Sequence, residues 1–284
     1  MSSLIRAQGL CKHYGKKTIL KHVNFDIAAG RIVGLIGPNG SGKTTTLKAI
    51  LGLTSFEGEL SVLGFDPRTE RDALMNEVCF IADVAILPRW LRVCDAIAFV
   101  EGVHPKFNRD KAERYIANTK IDPKMRVKTM SKGMVVQLHL ALVMAIDARL
   151  LVLDEPTLGL DIMYRKMFYQ HLIEDYFDDD KTILITTHQV EEIEHILSDV
   201  LFIREGEIVL QSSMEDLAKR FVEVSVDTNQ KAQADALHPL DQRAVFGKTA
   251  MLFDGIDAQD LSQFGPCKTP GVSDVFVAMM KGSY

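Results

Sequence analysis

The sequence predicts an α/β protein built on a mostly parallel sheet, and three features carry that expectation. Short apolar runs alternate with helical stretches along most of the chain. Two of those runs end in Gly or in paired acids, as strands of an open α/β sheet do where they meet a ligand crevice. At 284 residues the chain exceeds a typical single domain, so one large core plus an accessory region is expected.

Taken in order, "RIVGLIG" (31–37) reads as a short buried strand ended by Gly. "PNGSGKTTTLKAILGL" then opens with turn residues and becomes helical, with Leu47, Ile50 and Leu51 on one face. From about 84 to 147 the pattern is almost entirely helical, including "NRDKAERYIANTK", which predicts a helical subdomain. "ARLLVLDEP" (148–156) is a second buried strand, stopped by Pro156, and "KTILITTH" (181–188) a third. "VEEIEHILSD" reads as a helix, and "DVLFIREGEIVLQ" (199–211) as a hairpin around Glu205-Gly206. After about 212 the signals change to short strands, Pro and Gly, ending in "PGVSDVFVAMMKG". The expected division is 1–220 and a C-terminal accessory region, 221–284.

Composition narrows the class. Hydrophobic residues at 47% and charged residues at 25% are ordinary for a soluble globular protein. A net charge of −5 argues against a nucleic-acid-binding surface. The four cysteines (Cys11, Cys79, Cys94, Cys267) are scattered, which fits reduced thiols in a cytosolic protein. The N-terminus lacks the apolar stretch of a secretory signal, and no apolar run reaches the ~18–20 residues of a membrane span.

The chemistry is concentrated at three strand ends. "GPNGSGKT" (37–44) fits G-x-x-x-x-G-K-[ST] between a strand and a helix. Its glycines let backbone N–H groups turn toward an anion, and the helix N-terminus adds its dipole. Lys43 is placed to reach β- and γ-phosphates, and the Thr44 hydroxyl to ligate Mg²⁺. "TKID" (119–122) imitates the base-reading tetrapeptide of GTPases, but no D-x-x-G lies between Lys43 and Thr119, and chance accounts for it. "LLVLDEP" puts Asp154 and Glu155 where a buried strand emerges. Asp154 suits a divalent cation, which leaves Glu155 to polarise an attacking water. His188 closes the third strand, near the expected γ-phosphate. The His188/Glu192/His195 spacing lacks companion ligands for zinc.

With these motifs in order, the chain resembles the ATPase subunit of ATP-binding cassette (ABC) transporters over about residues 4–220. Tyr14 in "KHYG" looks like the adenine-stacking aromatic, "GPNGSGKTT" like the Walker A and "LLVLDEP" like the Walker B. "TLGLD", with Asp161, is similar to the D-loop, His188 to the switch histidine and "MSKGM" to the signature motif. The resemblance implies a P-loop NTPase (RecA-like) core with N-terminal antiparallel β elements, a helical subdomain and a small C-terminal extension. It implies ATP bound through Tyr14, Gly37, Pro38, Asn39, Gly40, Ser41, Gly42, Lys43, Thr44 and Thr45. Mg²⁺ would be held by Thr44, Asp154 and Asp83, with Glu155 and His188 catalytic. It also implies a second ATPase subunit in a head-to-tail homodimer or heterodimer, where Ser131, Gly133 and Asp161 serve the partner's nucleotide. Ser131 suits the N-cap of the following helix, so its hydroxyl, the Gly133 N–H and the helix dipole form an outward anion site.

Departures from the family pattern give this chain its character. Asp83 stands where the Q-loop glutamine is usual, Lys132 and Met134 replace Gly and Gln of the signature, and Leu158 and Ile162 are off "TSGLDP". Together with "VHPKFNRDKAERYI" and the terminal "GVSDVFVAMMKG", these features look most like ATPases of small ABC-2-type exporters of the antibiotic-resistance and bacitracin-export group. The expected partner is a multi-span membrane permease, met through the stretch around 84–104 with Arg89, Trp90 and Arg92 as contacts; burial of Trp90 in a core is the other reading. The protein would then lie in the cytoplasm, peripheral on the inner face of the cell membrane. Two rivals are a soluble ABC ATPase outside transport and a nucleotide-dependent regulatory module with little turnover.

Overall fold

Residues 3–82, 87–158 and 160–281 are described by the computed structural model, and Asp83 lies outside them. Two long strands open the chain, β1 (Ser3–Tyr14) and β2 (Lys17–Ala28), joined antiparallel with largely alternating burial. Next come β3 (Ile32–Ile36), α1 (Lys43–Ile50) and β4 (Glu57–Val62), which pairs with β1 to give a three-stranded sheet of order β2-β1-β4. Helix α2 (Arg71–Met75) leads into β5 (Val78–Ala82).

The helical stretch follows as α3 (Val93–Val103), α4 (Arg109–Ala117) and α5 (Lys132–Met144). Asn108 caps α4 by accepting from the Lys111 N–H, as a residue with a short polar side chain does at that position. Val93, Ile97, Ala112, Ile116, Leu138 and Leu142 close a core of their own between these helices. Helix α5 is buried nearly all round, because its other face lies against the main core through Val136, Leu140 and Val143.

Strands β6 (Leu150–Asp154), β7 (Thr182–Thr187), β8 (Asp199–Arg204) and β9 (Glu207–Ser213) complete a six-stranded sheet of order β5-β6-β7-β3-β8-β9. All neighbours are parallel except the β8–β9 hairpin. β3 and β7 are buried at every position, as continuous apolar and β-branched runs are when both faces of a parallel sheet are covered. Each fully buried Leu or Ile contributes about 1.5–3 kcal/mol, against about 0–1 for an exposed ion pair, so these strands dominate the stability. Helix α6 (Ile162–His171), which continues into a π-helical turn at Leu172–Tyr176, crosses between β6 and β7.

One expected element is different. The run read as a helix after His188 forms two 3₁₀ turns, Val190–Glu192 and Glu194–Ile196. Its apolar residues, Val190, Ile193, Ile196 and Leu197, all pack on the main core.

The C-terminal region starts with α7 (Met214–Arg220), a helix where short strands were expected, capped by the Ser213 hydroxyl. Then come β10 (Phe221–Val226), α8 (Lys231–Asp235), β11 (Asp241–Val245), β12 (Lys248–Asp254), α9 (Ala258–Leu261), β13 (Cys267–Lys268) and α10 (Val272–Lys281). The strands form an antiparallel sheet of order β11-β12-β10-β13 over a small core containing Val224, Met251 and Phe253. Helix α10 instead returns to the main core, where Val272, Val275 and Ala278 are buried and Phe276 meets Phe202 edge to face. Glu194 accepts from the Val272 N–H at 3.1 Å, and Arg204 donates to the Met279 carbonyl at 2.7 Å.

The tip of the β8–β9 hairpin supports the phosphate loop. Gly206 donates its N–H to the Ser41 carbonyl (2.9 Å), and its carbonyl accepts from the Lys21 N–H (2.8 Å). Its φ is 83°, and a Cβ there would sit 2.2 Å from the Ile19 carbonyl oxygen. Gly206→Ala is therefore expected to lower stability by about 1–3 kcal/mol or more, read as a fall in the urea midpoint at unchanged slope.

Candidate functional site

Parallel register sets the site. Ile36 of β3 pairs with Thr187 of β7, and Thr186 of β7 pairs with Asp154 of β6. The residues that follow, Gly37, Glu155 and His188, therefore leave the sheet at one edge, the carboxyl end where α/β proteins hold their ligands. An open cleft of about 470 Å³ lies there, lined by Tyr14, Asn39, Gly40, Gly42, Lys43, Thr44, Thr45, Glu155 and His188, among others.

The phosphate loop is held in a shape that few residues other than glycine permit. Gly42 has φ 114° and starts α1, with its carbonyl accepting from the Thr46 N–H. A Cβ on Gly37 would lie 2.4 Å from the Ile203 carbonyl oxygen and 2.5 Å from the Ser41 Oγ. Lys43, with 6% of its side chain exposed, donates to the Gly37 carbonyl at 2.8 Å and lies 3.5 Å from the Glu155 carboxylate. The Ser41 hydroxyl is buried without a partner among the described residues. A lysine whose other neighbours are carbonyls, an orphaned hydroxyl and an α1 N-terminus together suit an anionic group laid along the loop.

The two acids are positioned by one threonine. Thr186 Oγ1 donates to Asp154 Oδ1 at 2.6 Å and accepts from the Glu155 N–H at 3.1 Å. Asp154 Oδ1 also takes a long hydrogen bond from Thr44 Oγ1, at 3.4 Å. A hydroxyl beside a carboxylate oxygen is the donor pair of a hard cation, so Thr44 and Asp154 fit Mg²⁺. Glu155 has φ 50°, a left-handed backbone uncommon for a residue with a side chain, and its carboxylate meets His188 Nδ1 at 2.7 Å. The turn that follows is tied to α6: the Thr157 and Tyr169 hydroxyls share a hydrogen bond of 3.1 Å, and burial pushes the Tyr169 phenol well above its usual range.

The other expected residues lie elsewhere. Tyr14 is half exposed at the cleft mouth, with the Lys12 ammonium 4.8 Å above its ring. Pro38 contributes only its carbonyl, 3.4 Å from Lys43 Nζ. Ser131 caps α5 by accepting from the Met134 N–H at 3.2 Å, as expected from its position. Gly133 is buried under the Tyr164 ring, where a Cβ would come within 2.1 Å of the ring, so close packing selects glycine there. Asp161 caps α6, accepting from the N–H groups of Met163 and Tyr164. Ser131, Gly133 and Asp161 are outside the cleft of their own chain. Trp90 is 71% exposed, which excludes the core reading.

Comparison with known proteins decides the family. The family description "ABC transporter" matches residues 20–158. The lantibiotic transport ATP-binding protein SrtF of Streptococcus pyogenes is 32% identical over 225 residues, 75% of this chain and 92% of its own. The chain belongs to the ABC transporter ATPases. The Nod factor export ATP-binding protein I of Rhizobium leguminosarum bv. viciae is 34% identical over 212 residues, 70% of this chain and 65% of that protein. The structure of CbiO1 from Clostridium perfringens, part of the ABC transporter complex CbiONQ, has the same fold, with TM-score 0.65 at 22% identity over 76% of this chain and 91% of that one. This ABC ATPase is thus a P-loop NTPase that binds and hydrolyses ATP as a subunit of a transporter complex. Among its described residues no helix is long and apolar enough to cross a membrane.

Thr186→Val keeps the β-branched shape and removes the hydroxyl that serves both acids. It is expected to lower kcat about tenfold or more while costing about 1–3 kcal/mol of stability, checked by phosphate release and urea unfolding.

Proposed function

We propose that this ABC ATPase works as one of two head-to-tail subunits that drive a multi-span membrane permease in export. The observation that carries the reading is the convergence of Lys43, Thr44, Asp154, Glu155 and His188 at one sheet edge. Tyr14 stacks on the adenine, and the loop from Gly37 to Thr45 wraps the phosphates. Mg²⁺, when bound at Thr44 and Asp154, supplies positive charge to the β- and γ-phosphate oxygens. Asp83 is a third candidate ligand. Glu155 takes the proton of the attacking water as its oxygen bonds the γ-phosphorus and the bond to the ADP oxygen breaks. His188 orients Glu155 and faces the γ-phosphoryl group.

Ser131 at the N-terminus of α5, with Asp161, faces the nucleotide of a second copy, while Gly133 lets Tyr164 pack closely against that helix end. That assignment agrees with their place outside their own chain's cleft and with the exposed apolar residues Leu158, Ile162 and Met163 beside Asp161. The permease contact is supported by a second surface. Trp90, Phe99 and Val103 are 71%, 67% and 62% exposed, with Arg89 and Arg92 exposed on either side of Trp90 in the sequence, and bare large apolar side chains of this kind suit a partner surface. Export rests on the likeness to the Nod factor export ATP-binding protein. The chain would then sit on the cytoplasmic face of the membrane through its permease.

Glu155→Gln is expected to lower kcat by about 10²–10⁴ and to accumulate an ATP-dependent dimer, seen by size-exclusion chromatography with light scattering. A mutant that stays monomeric at saturating ATP, beside a wild type that hydrolyses normally, sinks the two-subunit site. Phe99→Glu with Trp90→Glu is expected to leave the ATPase rate of the isolated subunit within about twofold and to release it from membranes of its source cells, followed by fractionation.

A further inference from the structure

Arg165 stands on the first turns of α6, outside the cleft, yet it joins two of the segments that form the site. Its Nε donates to the Leu160 carbonyl at 2.7 Å, in the turn between Glu155 and Asp161. Its Nη1 donates to Gln189 Oε1 at 2.8 Å and also to the Glu192 carboxylate, both in the segment after His188. The Gln189 N–H is held in turn by Thr187 Oγ1 at 2.9 Å. His188 is therefore flanked by a residue fixed on both its backbone and side chain, while its own Nδ1 meets Glu155 at 2.7 Å.

We infer that Arg165 is a positioning residue that fixes the turn bearing Asp161 relative to the segment bearing His188, and so keeps Glu155 and His188 aligned. The role rests on the catalytic reading of those two residues given above. The side chain suits it, since a planar guanidinium offers donors in a rigid fork, and here two edges of that fork engage two different loops. A lysine presents one compact ammonium on a flexible stem and holds only one of the loops at a time. Packing of α6 does not depend on the arginine, because Phe168 and Tyr169 bury that helix in the core. The segments it joins are short turns anchored to the core by Leu160, Val190 and Ile193, and the arginine links the polar chain between those anchors. Catalytic alignment is sensitive to displacements of this kind, where a shift of about 1 Å costs on the order of 10²-fold.

The test compares Arg165→Met and Arg165→Lys with wild type in steady-state ATPase assays, binding of a fluorescent ATP analogue and ATP-dependent dimerisation by light scattering. Arg165→Met is expected to lose about 10–100-fold in kcat with KM for ATP nearly unchanged, and to form the ATP-bound dimer that slow hydrolysis preserves. Arg165→Lys, which retains the charge opposite Glu192 but not the fork, is expected to fall between the two. Wild-type kcat in Arg165→Met overturns the inference. So does loss of ATP binding in parallel with turnover in both variants, which marks a merely structural tether. If Glu155→Gln keeps wild-type kcat, the catalytic reading falls instead, whatever the arginine variants do.

Discussion

In-register parallel pairing of β3, β6 and β7 is the constraint on which the rest of the molecule depends. Each strand is short, and each is followed at once by a residue that carries chemistry: Gly37, Glu155 and His188. A slip of one residue between β6 and β7 would part Asp154 from Thr186 and turn every side chain of the shifted strand to the opposite face. Close packing opposes that slip, because both faces of the sheet are covered by core and each side chain fits its own neighbours. Burial thus does the positioning, and the polar contacts at the edge refine a geometry that hydrophobic packing has already chosen.

Those strand ends were legible in the sequence because each combines two signals, a buried run and an abrupt change to Gly, acid or His. Thr186 carries an equally central role but gives no such signal. Threonine is an ordinary strand residue, and nothing in "LITTH" distinguishes a hydroxyl that serves two acids from one that merely fills a pleat. Arg165 is hidden for the opposite reason. In "DIMYRKMFYQ" it reads as one more base on a helix, and its partners lie 24 and 27 residues further on, across β7. The helix expected after His188 forms two 3₁₀ turns instead, because apolar positions 190, 193, 196 and 197 fit either period.

The site also shows where polar strain is kept. Glu155 holds a left-handed backbone, and its N–H and side chain are each claimed by a neighbour, Thr186 and His188. The Thr157 and Tyr169 hydroxyls pin the turn that follows it. The acid is thus held from two sides, while α3 and α6 keep large apolar residues exposed.

Helix α10 belongs by sequence to the accessory region but by packing to the ATPase core. Its Val272, Val275 and Ala278 are buried there, and Glu194, six residues beyond His188, caps its first N–H. Ancestry and folding therefore draw different borders on this chain. The resemblance to relatives runs over about residues 4–220, whereas the main core is closed only by Ala278. A fragment cut where resemblance to relatives fades would carry every motif and still lack one wall of the structure that holds them in register.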